Sequence, residues 1–134
     1  MRWFQGFIVL PNNEEQVAKV EEALKGISYE KIWLFIPTLD WGNDKEKNKK
    51  FIEDMADETL RKGKFLGIYT SERGWRSAVG DWARGSRYSL WWIKHDGNPL
   101  FNNFKPFGGW YHCFIKEYSP KRSKCFEYFQ RNYR

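Results

Sequence analysis

Short apolar runs alternate with helix-like segments along this chain, and no other feature limits its possible folds as strongly. The compact runs lie at about residues 3–10, 31–36, 65–70, 88–93 and 114–118. Between the first three runs, apolar residues recur at helical spacing, as they do at Phe51, Ile52 and Met55. Strand–helix–strand order is typical of parallel β/α units, whose sheet is buried on both faces. The pattern therefore predicts an α/β fold with about five strands.

Capping and turn residues predict where several of these elements begin and end. Asn13 precedes the first helical segment, and Gly63 follows the second one. Ser71 is placed to cap a short helix that continues through Val79. Residues 96–110 are polar and rich in glycine, so we expect them to form a long loop.

The size of the chain fits one domain. Its 134 residues, of which 41% are hydrophobic, suffice for one core but not for two ordinary domains, which predicts a single domain over residues 1–134. No run of about 18 apolar residues occurs, so the sequence predicts no membrane span. The apolar residues 3–10 are few and lack a small-residue cleavage site, which favours a buried strand over a signal peptide.

The net charge of +6 is spread unevenly. Residues 1–60 hold 8 Lys/Arg against 12 Asp/Glu, whereas residues 61–134 hold 15 against 5. The basic second part could attract an acidic polymer such as nucleic acid, an anionic membrane or a bacterial wall. Because its charges are scattered and do not form a basic run, the sequence disfavours a specific nucleic-acid site, and a solvated surface is the ordinary alternative.

The two cysteines, Cys113 and Cys125, allow one intrachain pairing. They lie 12 positions apart, across a strand and the loop that contains Ser119-Pro120-Lys121, so a disulfide can close between them. A disulfide would suit a secreted protein and two free thiols would suit a cytosolic one, and the sequence leaves both open. Neither His95 nor His112 has a second ligand at metal-binding spacing, so we expect no metal site and no cofactor.

An ordered series of glycine and aromatic segments occupies much of the chain. It comprises Ile32-Trp33, Gly67-Ile68-Tyr69-Thr70 with Trp75, Leu90-Trp91-Trp92, Phe104-Lys105-Pro106-Phe107-Gly108-Gly109-Trp110 and Ile115-Lys116-Glu117-Tyr118. Over roughly residues 30–128 this series resembles the second half of the barrel-type lysozymes of glycoside hydrolase family 25, in particular their protist and nematode branch. The resemblance implies a truncated or partial TIM-type barrel, since closed barrels of that type need about 200 residues or more. It also implies a secreted or lysosomal/vacuolar location.

The chain departs from that family where the family keeps its acids. The strand after the Ile-Trp pair normally carries an Asp-x-Glu motif, and here Phe35 and Pro37 occupy those two positions. Residues 35 and 37 of a strand point to the same side, but neither of these side chains can transfer a proton. A further acid of the family falls near Asn132, and residues 1–30 offer no clear counterpart of its first-strand Asp. The sequence therefore predicts the loss of glycosidase chemistry.

Asp40 and Asp96 remain as candidate catalytic acids, because each follows an apolar run at the end where barrel active sites are built. Both could instead be turn formers, a role that Asp adopts readily. Aromatic side chains near the strand ends and in the long loop are candidates for sugar binding, namely Trp41, Tyr69, Trp91, Trp92, Phe107 and Trp110. Only one of Trp91 and Trp92 can face the interior, since strand neighbours point opposite ways.

Our leading hypothesis is a catalytically inactive lysozyme-like domain that binds a glycan such as peptidoglycan, a protein or an anionic surface. One alternative is an active muramidase that uses Asp40 or Asp96. Another is a basic, aromatic nucleic-acid-binding protein. Five parallel strands would leave two free edges, so we also expect a homo-oligomer unless helices and residues 126–129 cover them.

Overall fold

The computed structural model describes residues 31–39 and 41–125. The predicted first strand at residues 3–10, the helical segment after it, Asp40, residues 126–129 and Asn132 lie outside the described residues. No helix in the described part is long and apolar enough to cross a bilayer.

Five strands, two α-helices and one short 3₁₀-helix make up the described fold. In chain order they are β1 (Lys31–Ile36), α1 (Lys45–Arg61), β2 (Phe65–Thr70), α2 (Glu72–Val79), the 3₁₀-helix (Ala83–Arg87), β3 (Ser89–Ile93), β4 (Ile115–Ser119) and β5 (Arg122–Cys125). The strands form one sheet in the order β1-β2-β3-β4-β5, and the first four are parallel. This open, mostly parallel sheet confirms the prediction of an α/β fold that corresponds to part of a barrel.

Both helices begin at side-chain caps. The Asp44 carboxylate accepts a hydrogen bond from the backbone N–H of Lys47 at 3.0 Å, and the Ser71 hydroxyl accepts one from Gly74 at 2.9 Å. Each cap satisfies one of the backbone donors that a helix start leaves without an intrahelical partner. The predicted role of Ser71 is confirmed, and the cap fixes α2 directly after β2.

The two faces of the sheet have different partners. On what we call the helix face, Ile32, Leu34 and Ile36 of β1 belong to one apolar cluster with Ile52 of α1 and Trp75 of α2. Burial of this cluster supplies the main favourable term for folding of the described part. The opposite side of the sheet, which we call the inner face, carries the other half of each strand's side chains.

The last strand differs from the predicted all-parallel arrangement. Residues 122–125 pair antiparallel with β4, with Cys125 opposite Ile115, and Pro120 and Lys121 form the tight turn between the two strands. Lys121 adopts a φ of 68°, a conformation that more often requires glycine. The segment Arg122-Ser123-Lys124-Cys125 has no apolar run, which is why the sequence pattern gave no sign of a strand. β5 covers the edge of β4 that was expected to be free.

No disulfide joins Cys113 and Cys125 in this structure. Cys113 is buried in the apolar cluster of the helix face. Cys125 lies on β5 as the register partner of Ile115. The two residues thus belong to different environments even though they are close in sequence.

Candidate functional site

Aromatic rings line the inner face near the carboxyl ends of the parallel strands. The pairing register places Phe35, Tyr69 and Trp91 side by side on β1, β2 and β3. The ring centroids of Phe35 and Tyr69 are 5.0 Å apart, and those of Tyr69 and Trp91 are 4.5 Å apart. All three residues are partly exposed. They form a continuous apolar surface, which we call the ring row.

A glycine makes room beneath this row. Trp33, two residues before Phe35, lies flat over Gly67, and a Cβ atom added to Gly67 would come within 2.5 Å of its ring. Trp33 also meets Trp91 edge-on, with centroids 5.4 Å apart. The glycine of the Gly-Ile-Tyr-Thr segment is therefore required by the close approach of an indole ring.

A carboxylate ends the ring row on the fourth strand. Glu117 is 8% exposed, and it accepts a hydrogen bond from the Tyr69 hydroxyl at 2.6 Å. Its second oxygen lies 2.7 Å from Nε2 of His95, which follows β3. Charge-assisted bonds of this kind orient a carboxylate firmly. We call Glu117, Tyr69 and His95 the polar cluster.

The polar cluster keeps the Tyr69 hydroxyl in its neutral, donating form. Burial raises the pKa of Tyr69 above its ordinary value, and the hydrogen bond to Glu117 adds to the effect. The neighbouring indole is also fixed, because Trp91 Nε1 donates to the Ser123 hydroxyl on β5 at 3.0 Å. The inner face is therefore a preorganised surface in which the Tyr69 hydroxyl, the Glu117 carboxylate and the Trp91 indole each have a defined direction.

Asp96 lies in a different setting, because consecutive residues of β4 point to opposite faces. Lys116 is fully buried on the helix face, and its ammonium nitrogen lies 3.2 Å from the Asp96 carboxylate. Partial burial acts to raise the pKa of Asp96, but hydrogen bonds from the Asn98 backbone, Asn103 and Lys116, together with the Lys116 charge, lower it to about 2. Asp96 thus anchors the long loop as a permanent anion.

Four of the six predicted ligand-binding aromatics are core residues. Trp41, Trp92, Phe107 and Trp110 are each no more than 5% exposed, and all four belong to the apolar cluster of the helix face. The Trp110 indole donates a hydrogen bond to the Tyr88 carbonyl at 2.8 Å, as expected of a tryptophan that packs in the core. The structure brings together Tyr69 and Trp91 and separates them from the other four.

Sequence reasoning missed Glu117 and His95 as site residues. The signal was present, because Lys116 and Glu117 are oppositely charged neighbours in an otherwise buried strand and must therefore find separate partners on the two faces. Phe35, identified as a degenerate position, does lie on the inner face beside Tyr69. Among the residues that the structure describes, no group of three His, Cys, Asp or Glu side chains could hold a metal ion.

Comparison with known proteins gives one family. A family model described as lysozyme-like protein 1 matches residues 9–118. The chain is similar to probable GH family 25 lysozyme 5 of Dictyostelium discoideum, with 36% identity over 127 residues, 91% of this chain and 59% of that protein.

Further relatives from the same organism agree. Probable GH family 25 lysozyme 4 is 33% identical over 116 residues, 85% of this chain and 54% of that protein. Probable GH family 25 lysozyme 2 is 31% identical over 116 residues, 85% of this chain and 55% of that protein. The chain thus spans less than two thirds of the length of these relatives. No solved structure matches.

Proposed function

Because the chain belongs to the lysozyme-like family related to glycoside hydrolase family 25, we propose that it binds a glycan on its inner face without hydrolysing it. One observation carries the proposal: among the strand residues that the structure describes, the inner face presents a row of three partly exposed rings and a single carboxylate, Glu117. Such a surface has the parts needed to hold a sugar and lacks the second acid needed to cleave one.

The ring row and the polar cluster suit the two kinds of surface on a sugar. Ligand sites are typically apolar with a few directed polar groups. Phe35, Tyr69 and Trp91 offer the apolar faces for C–H groups of a pyranose ring. The Glu117 carboxylate and the His95 imidazole are placed beside the row to bond the sugar hydroxyls. The site is preorganised, which lowers the entropic cost of binding.

Glycoside hydrolysis is disfavoured by the number and state of the acids in the described part of the chain. Most glycosidases use two carboxyl groups roughly 5–10 Å apart, one of which donates a proton. Phe35 and Pro37 can do neither task. Hydrogen bonds from the Asn98 backbone, Asn103 and Lys116 lower the pKa of Asp96 to about 2, which holds it as an anion. Asp96 pairs with Lys116, whose side chain lies on the helix face, whereas Glu117 lies on the inner face. A secreted or lysosomal location would give such a binder access to wall glycans.

The test is co-sedimentation with insoluble peptidoglycan, combined with a reducing-end assay on the same samples. We expect the protein to pellet with the wall and to release no reducing ends. Trp91→Ala should weaken binding, because it removes one of the three rings of the ring row. Tyr111→Ala removes an aromatic side chain that is 80% exposed and lies outside the row, so it should leave binding unchanged.

Two results would refute the proposal. Release of reducing ends that disappears in Asp40→Asn, Asp96→Asn or Glu117→Gln would show an active muramidase. Equal binding by wild type and Trp91→Ala would show that the ring row is not the binding surface.

A further inference from the structure

A second surface lies at the carboxyl ends of β2 and β3, beyond the ring row. It is an open groove of about 570 Å³ between the start of α2, the end of β3 and the long loop. Basic side chains reach it from all three sides: Arg73 from α2, Lys94 after β3 and Lys105 from the loop. Asn103 adds an amide. We call Arg73, Lys94 and Lys105 the basic triad.

The charges of the basic triad are not used within the described part of the chain. All three residues are exposed, and none of them forms an ion pair with a described residue. Among the residues that the structure describes, the one acid that lines the groove is Glu72, and its carboxylate lies 4.0 Å from Arg76. Like charges gathered without a counter-charge raise the local potential and favour an anionic ligand.

The groove adjoins the proposed glycan site. Ile93 lines the groove and is the register partner of Glu117 in the polar cluster. A saccharide held on the ring row would therefore extend its substituents towards the basic triad. The rings that line the groove itself, Trp92 and Phe107, are each only 5% exposed, so the groove offers no open face on which a nucleic-acid base could stack.

We propose that the basic triad binds the anionic substituents, carboxylate or phosphate, of an acidic glycan. This inference rests on the proposed glycan binding and adds the class of ligand. Carboxylate and phosphate oxygens accept strong charge-assisted hydrogen bonds from Arg and Lys. Exposed ion pairs are each worth roughly a factor of two in affinity, so the triad should contribute about eightfold.

The experiment compares two soluble oligosaccharides of equal length, of which only one carries the lactyl carboxylates of muramic acid. A chitin oligomer is neutral, whereas an oligomer of alternating N-acetylglucosamine and N-acetylmuramic acid carries one carboxylate on every second sugar. Affinities are measured by calorimetry for wild type, for the triple variant Arg73→Gln/Lys94→Gln/Lys105→Gln, and for a control triple variant, Lys47→Gln/Lys50→Gln/Lys62→Gln. The control removes three charges from residues that do not line the groove.

We expect wild type and the control to prefer the muramyl oligomer about eightfold, and the basic-triad variant to bind both oligomers equally. Phosphate as the source is tested with wall preparations before and after removal of their phosphate polymers. If removal of the phosphate polymers lowers wall binding of wild type but not of the basic-triad variant, phosphate is the group bound by the triad. If wild type prefers the muramyl oligomer and removal of the phosphate polymers does not lower its wall binding, the carboxylate is the group bound.

Other outcomes overturn the inference or its premise. Equal affinity of wild type for both oligomers, together with no effect of phosphate removal, overturns the role of the basic triad and leaves glycan binding intact. Absence of binding to either oligomer and to either wall refutes glycan binding itself. Single-stranded DNA bound more tightly than the muramyl oligomer, and lost in the basic-triad variant, would replace the glycan with nucleic acid.

Discussion

Removal of the Lys116 charge should destabilise the fold more than the loss of any surface lysine. Lys116 is fully buried, and its ammonium group has three polar partners: the Asp96 carboxylate at 3.2 Å, the Leu100 carbonyl at 2.9 Å and the Asn103 side-chain oxygen at 3.1 Å. The ammonium also lies 4.9 Å from the centre of the Trp92 ring. One side chain thus ties the long loop to β4.

The expected cost of Lys116→Met follows from these contacts. Breaking a buried ion pair by removing one partner costs about 3–5 kcal/mol. Asp96 can regain some hydration in the variant, because its side chain is 25% exposed. The expected loss of unfolding free energy is therefore near the lower end of that range, at about 3 kcal/mol. Methionine retains the apolar stem, so the loss reports on the ammonium group and not on a cavity.

The assay is urea unfolding at neutral pH, with Lys105→Met as the matched control. Lys105 is exposed and forms no ion pair with a described residue, so its replacement should change the free energy of unfolding by less than about 0.5 kcal/mol. Lys116→Met combined with Asp96→Asn should cost less than the sum of the two single changes, because the partners share one interaction. A loss below about 1 kcal/mol for Lys116→Met would refute the reasoning.

Three further predictions concern acid stability, the glycine under Trp33 and the thiols. The pKa of Asp96 is lowered to about 2 in the folded protein, so its ionised form stabilises the fold at pH values above the unfolded pKa of about 3.9, and this stabilisation is lost as the pH falls through 2. Thermal melts should show this loss of stability at acid pH in wild type and a smaller loss in Lys116→Met. Equal losses in the two proteins would contradict the assignment. Gly67→Ala should lower the free energy of unfolding in urea by about 1–3 kcal/mol, because the added Cβ meets the Trp33 ring. An unchanged unfolding midpoint would show that the ring can move. Burial raises the pKa of Cys113 to about 12, which keeps it as an unreactive thiol at pH 8. A thiol reagent at pH 8 should therefore label Cys125 first in the folded protein and both cysteines in denaturant. Fewer than two labelled thiols after denaturation would indicate oxidation.

The parts of the fold that the sequence predicted are those in which local pattern and burial agree. The apolar runs at 31–36, 65–70, 88–93 and 114–118 became the four parallel strands to within a residue. The N-cap at Ser71 was also predicted correctly, since a serine directly before a helix commonly accepts a hydrogen bond from a backbone N–H of the first turn. β5 was missed because its pairing with β4 comes from a turn with a positive φ at Lys121 and not from an apolar pattern.

The candidate site was predicted less well, because which face a side chain takes depends on register. Trp91 and Trp92 were known to point in opposite directions, but only the pairing of Trp91 with Tyr69 shows which of them joins the ring row. Glu117 was passed over because an acid inside a strand carries no motif of its own. Its role is visible only once Tyr69, from a strand two positions away in the sheet, is seen to donate to it.

The most direct test of binding without hydrolysis is a turnover measurement on purified peptidoglycan, with an active family 25 lysozyme at equal concentration as the positive control. We predict that the wild-type protein is depleted from solution by the wall while reducing ends stay at the level of the protein-free blank. Reducing ends that accumulate in proportion to protein and time, and that vanish in Glu117→Gln or Asp40→Asn, would contradict the account.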